Sequence, residues 1–547
     1  MADQLSAGGN RGLGDVTRQE PPADAPGRPT ILIRNGYVIP GAHRAHLDRA
    51  DIFIDRDRVA AVGPDLLKQP IVAASNPRII EAGKRIVIPG FINAHTHSNE
   101  SFSQGFWDAL PLEVWLLHKY PPFALKPLQE RTHYLRTLLL AIESIRSGIT
   151  MVQDDLINRL SEIAAFDGSA AAYRDIGLRA AITTSMSDRQ FLEPLPWLDE
   201  LMDAATRAEL ATLPVAGWRE HLAMFERNAG KWHGAANGRI RAILGPIGPQ
   251  WCSDELLQAA TEVSLTRGVP LHMHALESKL QAVQAQLLYG RPIVEHLDAL
   301  GVLTRNLTLN HAIWLTDGEI ERLGARGCSI SHNPLSNLKL GSGVARVRDL
   351  KKAGVNVALG TDGTSTSDRA DMLRSLGMAA LIHRVGDMDY ETWVTAEEAF
   401  EMATIGSAGS TGLADEIGTI DAGKKADLVL LDREDYGFIP LHRPVQQLAY
   451  AVNSDAVRTV LVDGKVVMDE RVLTLVDEAA LKAEMIEAAN AYVRDNAATM
   501  ERLAARFYPY YRAAHMRAAA TDVPASRAPV RLPCGCCTAL RHTLTCE

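Results

Sequence analysis

Two histidines end the segment Pro89-Gly90-Phe91-Ile92-Asn93-Ala94-His95-Thr96-His97. An apolar run that begins at Ile86 leads into it, which predicts a buried strand ending in these two side chains. Side chains two residues apart on a strand point to the same face, so His95 and His97 can reach one point in space. Two imidazoles at one strand end suit a metal site. The alternative is that one histidine caps the strand and the other faces solvent. A metal is favoured only if later strand ends supply further ligands.

The composition is ordinary for a soluble globular protein. The chain has 547 residues, of which 46% are hydrophobic and 22% charged, and its net charge is -9. This length suits one large α/β domain plus a smaller one. The negative charge argues against nucleic acid or an anionic membrane as a partner. Because no apolar run approaches the ~20 residues of a membrane-spanning helix and no signal peptide is evident, we expect a cytoplasmic protein.

Short apolar runs alternate with longer segments of helical periodicity through most of the chain. Eight β-then-α units favour a (β/α)8 TIM barrel. A doubly wound open sheet is the alternative, but no Gly-x-Gly-x-x-Gly turn follows a strand. In a barrel the functional side chains lie at the carboxyl ends of the strands. The predicted strands are 86–97, 148–155, 178–186, 240–247, 269–277, 307–315, 328–334 and 355–363.

β-like patterns flank the barrel on both sides, which predicts a discontinuous small β-sandwich domain built from both ends of the chain. Four of the six cysteines fall in the last fourteen residues, where their spacing is not that of a usual zinc module. They are expected to be incidental, with a thiophilic metal site as the alternative. The predicted division is a disordered extension (1–29), the β-sandwich (30–87 and 413–476), the barrel (88–412), a helical segment (477–520) and a loose cysteine-containing tail (521–547).

Polar residues close the later barrel strands. Any one of them could be an ordinary polar residue with satisfied hydrogen bonds. Their common position at one rim is better explained by a single site. These residues are His272, His274 and nearby Glu277 on strand 5, His311 on strand 6, His332 on strand 7 and Asp362 on strand 8.

Three imidazoles and one carboxylate suit a divalent ion such as Zn²⁺, with Fe²⁺ or Mn²⁺ as alternatives. The expected ligands are His95, His97, one of the two strand 5 histidines and Asp362. Water bound to such an ion has a pKa of about 7, so a metal-bound hydroxide could attack an sp2 carbon. His311 is placed to orient the water or accept a proton, and Glu277 to carry a proton to the leaving group. The residues therefore predict a metal-dependent hydrolase.

The motifs resemble those of the amidohydrolase superfamily, in particular the branch of cytosine and guanine deaminases, S-adenosylhomocysteine deaminases and triazine hydrolases. The resemblance runs from about residue 30 to 470, and it is more specific for the superfamily than for the reaction. The matching segments are 89–97, His274-Ala275-Leu276-Glu277, Asn310-His311-Ala312, 332–340, Gly360-Thr361-Asp362-Gly363 and 418–428.

The resemblance implies a choice between the two strand 5 histidines and a metal count. In the family the fifth-strand ligand lies three residues before the glutamate, which selects His274 and leaves His272 deeper in the barrel. Members with two metals use a modified lysine at the end of strand 4. The segment 245–252 has no lysine here, which implies one metal and leaves Gln250 as a substrate contact.

A long connection after the first strand, residues 98–128, is expected to lie over the barrel mouth. Its rings could cover a flat aromatic or heterocyclic substrate, or could pack the loop onto the barrel. Glu113 within it is a candidate hydrogen-bonding group. The rings are those of Phe102, Phe106, Trp107, Trp115, Tyr120 and Phe123.

Two further side chains have equally open roles. Thr366 could position a polar group of the substrate or cap a helix. His332 could contact substrate, or could belong with Asn333, Ser336 and Asn337 to a loop held by side-chain hydrogen bonds to the backbone.

The first functional hypothesis is hydrolysis of a carbon–nitrogen bond other than a peptide bond, most simply the deamination of an aminated heterocycle. The second is hydrolysis with another leaving group, from an amide, urea, carbamate (anilide or phenylurea type) or chloro-heterocycle. The third is a non-catalytic relative kept for binding or assembly, which the complete ligand set disfavours. A homo-oligomer with the helical C-terminal segment as its interface is compatible with the sequence.

Overall fold

The computed structural model describes residues 30–121, 125–157, 162–385 and 388–524. The predicted extension over 1–29 and most of the predicted tail, including its cysteines, lie outside these ranges. The described residues form seventeen strands. They are β1 Ile31–Val38, β2 Leu47–Asp55, β3 Arg58–Gly63, β4 Arg78–Glu81, β5 Arg85–Pro89, β6 Phe91–Thr96, β7 Ile149–Asp154, β8 Arg179–Met186, β9 Ile240–Pro246, β10 Leu271–Ala275, β11 Leu307–His311, β12 Ser329–His332, β13 Asn356–Leu359, β14 Leu428–Asp432, β15 Val457–Val462, β16 Lys465–Asp469 and β17 Val472–Leu473.

The same residues form nineteen α-helices. They are α1 Pro70–Ala74, α2 Leu112–Lys119, α3 Glu130–Arg146, α4 Ile163–Ile176, α5 Leu198–Leu201, α6 Ala204–Ala211, α7 Trp218–Trp232, α8 Ala235–Gly238, α9 Asp254–Arg267, α10 Lys279–Tyr289, α11 Ile293–Ala299, α12 Asp317–Ala325, α13 Pro334–Lys339, α14 Val347–Lys352, α15 Met372–Leu381, α16 Ala396–Glu401, α17 Ser407–Ser410, α18 Pro444–Tyr450 and α19 Glu478–Ala520. A π-helical turn spans Met402–Gly406. Short 3-10 turns span Leu66–Lys68, Ser98–Ser103, Pro249–Trp251, Ile382–Arg384, Tyr390–Thr392, Tyr436–Phe438 and Ser454–Ala456.

The predicted (β/α)8 barrel is confirmed. Strands β6 to β13 lie side by side in chain order, each parallel to the next. Their residues are almost all buried, because the outer helices cover one face and the barrel interior the other. The last strand returns to the first, since the backbone N–H of Asp362 donates to the carbonyl of His95 at 2.9 Å. The carboxyl ends of all eight strands therefore meet at one rim.

The remaining nine strands form a mixed sheet from both ends of the chain, as the sequence predicted. Its order is β17-β16-β15-β14-β5-β1-β2-β3, and β4 pairs with β1. The two halves meet where β5 runs antiparallel to β14, with Val87 opposite Leu430. The exact domain boundaries at 87/88 and 412/413 stay predictions.

The predicted first strand, 86–97, is two strands that belong to different sheets. They divide at Gly90, whose N–H donates to Asp427 O of the mixed sheet at 2.9 Å, whereas the next N–H, of Phe91, donates to Gly148 O beside the barrel at 3.0 Å. A side chain at residue 90 would collide with Thr150, because a Cβ there would lie 2.1 Å from its Oγ1. The continuous apolar run hides this crossover, since both strands are buried.

The C-terminal segment is the 43-residue helix α19, which packs on the same molecule near the barrel mouth. The buried side chains of its C-terminal half, from Ala504 onward, belong to one apolar cluster with residues of α2 and α10. That cluster includes Phe507, Tyr511 and Ala514 of α19, Val114 and Leu117 of α2, and Leu280 and Val283 of α10. A role of this helix in oligomerisation stays a prediction. Among the described residues, no helix combines the length and apolarity needed to cross a membrane.

Candidate active site at the carboxyl ends of the barrel strands

Four of the predicted metal ligands converge at the barrel rim. The Oδ1 atom of Asp362 lies 3.3 Å from His95 Nε2 and 3.3 Å from His97 Nε2. The Nε2 atom of His274 lies 3.4 Å from that of His97. Ligand atoms about 2.0–2.1 Å from a tetrahedral zinc ion lie about 3.3 Å from one another, so these separations fit one such ion. His95 Nε2 is also buried without a hydrogen-bond partner among the described residues, as a metal-ligating nitrogen would be.

Backbone carbonyls select the tautomers that such a metal needs. His97 Nδ1 lies 2.6 Å from the carbonyl of Asp155, and His274 Nδ1 lies 2.9 Å from the carbonyl of Ile247. A carbonyl can only accept, so each Nδ1 carries the proton and each Nε2 keeps its lone pair toward the cluster. The fourth proposed ligand, the carboxylate of Asp362, is fixed by two hydrogen bonds. Asp362 accepts from Ser336 Oγ and from the N–H of Gly363, the latter at 2.7 Å.

The two strand 5 histidines occupy different positions. Only His274 presents Nε2 to the cluster, whereas His272 lies behind His95, with its Nε2 2.9 Å from His95 Nδ1. Gln153 and Asn310 contact the ring of His272 at 2.7 and 2.8 Å. His272 is therefore placed to orient a ligand rather than to act as one.

The predicted acid and base lie together beside the cluster. His311 Nε2 is 3.6 Å from Glu277 Oε2 and 4.0 Å from Asp362 Oδ2. His311 Nδ1 is 2.8 Å from the amide oxygen of Asn337, so its proton points away and Nε2 faces the site as an acceptor. Burial lowers the pKa of His311, which keeps the ring neutral. Burial, and then the carboxylate of Asp362, raise the pKa of Glu277 well above its ordinary value, which favours an acid that carries a proton.

A cavity of about 770 Å³ opens over this cluster. Its wall includes Asp362, Glu277 and His311, so these side chains face a partly open space large enough for a small molecule. Aromatic rings form much of the remaining wall. Trp251 stacks on Phe191 at 5.3 Å with parallel planes, and Trp115 meets Tyr120 edge-on at 6.0 Å.

The rings of the aromatic segment 98–128 differ in their surroundings. Trp115 and Tyr120 line the cavity. Trp107 packs edge-on against Trp115 at 6.5 Å, and Phe102 is buried in the largest apolar cluster of the described residues. Phe106 is exposed, and Phe123 lies outside the described residues. Lining the cavity and packing the loop are thus divided between different rings of one segment, and the covering of substrate by Trp115 and Tyr120 stays a prediction.

Two candidate substrate contacts lie behind the cavity wall. Glu113, on α2, contacts Ser278 Oγ and lies 3.4 Å from Nδ1 of His515 on α19. Gln250 lines a small adjoining pocket together with Glu113. Neither side chain belongs to the described wall of the main cavity.

The two residues with open roles are separated by the structure. Thr366 lines the cavity, and its hydroxyl donates to Gly363 O at 2.9 Å. His332 is fully buried away from the described cavity wall, with its ring 5.2 Å from that of His383.

The site also contains residues that the sequence reading missed. Asp155, beside the end of β7, has a carboxylate oxygen 3.4 Å from His274 Nδ1, and burial raises its pKa to about 6. Its position at the end of the second predicted strand was the available signal. Glu100 accepts from Ser365 Oγ at 2.6 Å and lines the cavity. Tyr492 and Asn496 reach the cavity from α19, which no motif indicated.

The barrel and its rim cluster define a hydrolase of the metal-binding (β/α)8 class. Residues 86–467 match the model of the amidohydrolase family. A 5-methylthioadenosine/S-adenosylhomocysteine deaminase of Thermococcus sibiricus is 36% identical over 440 residues, which cover 80% of this chain and 94% of the relative.

Solved structures agree. An adenosine deaminase from Xanthomonas campestris with bound zinc has a TM-score of 0.73 and 28% identity, covering 84% of this chain and 98% of its own. A mutant of atrazine chlorohydrolase from Arthrobacter aurescens, complexed with zinc and atraton, has a TM-score of 0.74 and 26% identity, covering 84% and 100%. The chain belongs to the amidohydrolase family, and it is a hydrolase that acts on carbon–nitrogen bonds.

Proposed function

We propose that this protein deaminates an aminated heterocycle of the adenine type with one divalent metal ion, most simply zinc. The observation that carries this proposal is the pair of Glu277 and His311, 3.6 Å apart, which forms a buried group with Asp362 of the proposed ligand set. Deamination requires a proton donor for the ring and the leaving amine, and this pair supplies one at the wall of the cavity. The similarity to adenosine-type deaminases supports the substrate class.

The proposed metal ligands are His95, His97, His274 and Asp362. An ion held there would lower the pKa of water so that it becomes a nucleophile near neutral pH. His311 accepts a hydrogen bond from the attacking water through Nε2 and orients its lone pair toward the ring carbon. Asp362 Oδ2, 4.0 Å from the same nitrogen, is the second acceptor.

Glu277 moves the protons. In its protonated form it donates to the ring nitrogen beside the reacting carbon as the carbon–oxygen bond forms. It then takes one proton from the oxygen now bound to carbon and passes it to the amino group. As the carbon–nitrogen bond breaks and ammonia leaves, Glu277 takes the second proton from the same oxygen and returns to its protonated form. Over one turnover the ring nitrogen and ammonia each gain one hydrogen, water supplies both, and the oxygen stays on carbon.

One metal ion is the proposed count. The end of β9 carries no lysine that could bridge a second ion. A candidate site for a second ion is the neighbouring group of His95, Asp155 and His272. His95 would then have to bind one ion through each ring nitrogen, but its Nδ1 already contacts His272 Nε2.

The test is ammonia release by purified protein with one equivalent of zinc, across aminopurine nucleosides, aminopyrimidines and aminotriazines. Mass spectrometry should show replacement of an amino group by a hydroxyl or oxo group in at least one aminopurine. Absence of ammonia from every member would reject deamination.

Hydrolysis with a different leaving group is the second candidate, favoured by the similarity to atrazine chlorohydrolase and by the aromatic wall of Trp115, Tyr120 and Trp251. The same nucleophile would attack a chloro-heterocycle, anilide or phenylurea. Detection of chloride or an aniline in place of ammonia would select this reaction.

A further inference from the structure

Asp155 is a buried carboxylate that the proposed reaction does not use. It directly follows β7 and is fully buried, and it does not belong to the described wall of the main cavity. Its Oδ1 atom accepts from Thr183 Oγ1 at 2.8 Å. Its Oδ2 atom is buried without a hydrogen-bond partner among the described residues. One oxygen of this carboxylate therefore faces its neighbours with no hydrogen bond to satisfy it.

The neighbours of Asp155 are the imidazoles of the proposed metal centre. Its Oδ2 atom lies 3.4 Å from Nδ1 of His274. Its main-chain carbonyl lies 2.6 Å from Nδ1 of His97. An oxygen of the carboxylate also lies within 4.8 Å of one ring nitrogen each of His95 and His272. Asp155 thus borders all three proposed histidine ligands.

The ring of His274 shares its carbonyl acceptor with the main chain. Nδ1 of His274 donates to Ile247 O at 2.9 Å, and the main-chain N–H of His274 donates to the same oxygen at 3.1 Å. The carboxylate of Asp155 lies beside this shared acceptor. Its negative charge favours a proton on Nδ1 of His274, which leaves Nε2 free for a metal and makes it a stronger ligand.

The charge of Asp155 lacks a compensating cation. Among the described residues, only the ring of His274 lies within ion-pair distance of its carboxylate. By contrast, the buried Asp427 accepts from Arg179 through both oxygens, at 2.9 and 3.0 Å. Burial of a carboxylate costs free energy unless a counter-charge compensates it. A divalent ion at the proposed ligands would supply the positive charge that the protein itself does not.

We propose that Asp155 is a positioning residue of the metal centre, whose carboxylate orients His274 and strengthens the binding of a divalent ion. The inference rests on the metal ligands of the proposed deamination site. It assigns Asp155 an effect on metal affinity rather than a contact with substrate, because the residue does not reach the described wall of the cavity.

The test is the affinity for zinc, measured by competition with a fluorescent chelator, in the wild type and in Asp155→Asn. This substitution keeps the size of the side chain and removes its charge. We expect the affinity to fall by about 10–100-fold, the usual cost of losing an outer partner of a metal-ligating histidine.

Thermal unfolding separates this role from a purely structural one. Metal-free Asp155→Asn should unfold at the same temperature as the metal-free wild type or higher, because it lacks the uncompensated buried charge. Zinc should then raise the unfolding midpoint less in the variant than in the wild type, since the ion is bound more weakly.

Thr183→Val tests the same contact without changing the carboxylate, and it covers the case that Asp155→Asn does not fold. It removes the hydroxyl that holds Asp155, so zinc affinity should fall by about three- to tenfold, the equivalent of one ordinary hydrogen bond. Thr184→Val is the matched control. Thr184 is the next residue of β8 and points to the opposite face, where its hydroxyl accepts from Asn228 at 3.0 Å. This variant should keep the wild-type affinity.

The visible absorption of the cobalt-loaded protein reports on the ligand field at the metal. We expect its bands to shift in Asp155→Asn and Thr183→Val but not in Thr184→Val. Neither zinc affinity nor cobalt absorption needs a substrate. A wild type that binds zinc but releases no ammonia would therefore reject deamination, whereas weaker zinc binding by Asp155→Asn would still support the role of Asp155.

Two results would overturn this role. The first is wild-type zinc affinity in both Asp155→Asn and Thr183→Val. The second is an equal loss of stability in the metal-free and zinc-loaded forms of Asp155→Asn with unchanged cobalt absorption, which would make the carboxylate a structural group only.

Discussion

The Nδ1 atom of His95 lies 2.9 Å from the Nε2 atom of His272, and the two buried rings form one unit. A metal at His95 Nε2 requires the proton of His95 on Nδ1, from which it is donated to His272. The proton of His272 then lies on its own Nδ1, 2.7 Å from the amide of Gln153. When the side-chain amide of Gln153 is flipped by 180°, its oxygen accepts the hydrogen bond from His272 Nδ1. The flip also gives a partner to this oxygen, which otherwise has none among the described residues.

His272→Ala should therefore keep the metal but bind it more weakly. Loss of an outer partner of a metal-ligating histidine typically costs 10–100-fold in affinity, and we expect about that loss here. Zinc competition with a fluorescent chelator measures it. His274→Ala should lose the ion altogether. Unchanged affinity in the first variant, or retained zinc in the second, would contradict the assignment of the two histidines.

Glu277→Gln should keep the metal and lose most turnover. The substitution removes proton transfer without removing a proposed ligand, so we expect kcat to fall by about 10²–10⁴-fold. Metal content by mass spectrometry and ammonia release are measured on the same sample. Loss of zinc in this variant would show that Glu277 belongs to the ligand set.

The contact between Glu113 and His515 should make stability depend on pH. The hydrogen bond and charge of Glu113 raise the pKa of His515 above its ordinary 6.5. A raised histidine pKa contributes stability that is fully present below pH 6.5 and disappears as pH rises through the folded-state pKa. The ring is partly exposed, so the contribution should be only about 0.5–1 kcal/mol after screening.

His515→Gln should accordingly lower the midpoint of thermal unfolding at pH 5.5 and leave it nearly unchanged at pH 9. Glu113→Gln is the control, since in that background the histidine substitution should have the same effect at both pH values. A larger effect at pH 9 than at pH 5.5 would reverse the sign of the linkage and reject this explanation.

Gly90 should be intolerant of a side chain, because a Cβ would overlap Thr150 at the crossover between the two sheets. Overpacking of this kind costs about 1–3 kcal/mol, so Gly90→Ala should visibly lower the unfolding midpoint. Gly83→Ala, where a Cβ has open space, is the matched control. Equal midpoints for the two variants would show that the crossover can relax.

The sequence predicted the convergence of the proposed metal ligands better than the cavity wall around them. The sequence could bring together His95, His97, His274 and Asp362, because the carboxyl ends of parallel barrel strands must meet at one rim. The family resemblance was still needed to select His274 over His272. The sequence did not predict the break between two strands at Gly90, because two consecutive buried strands give one uninterrupted apolar run.

The outer wall of the chamber depends on how distant segments fold back. Tyr492 lies on a helix some four hundred residues after His97, and helical periodicity alone does not say where that helix docks.

Titration of the metal-free protein with zinc, while ammonia release from an aminopurine nucleoside is followed, tests the central claim most directly. We expect activity to rise linearly and to reach its plateau at one equivalent, with no such rise in the His274→Ala variant. A plateau at two equivalents, ammonia release without zinc, or zinc binding with no ammonia release would contradict a deaminase with one metal ion at these four residues.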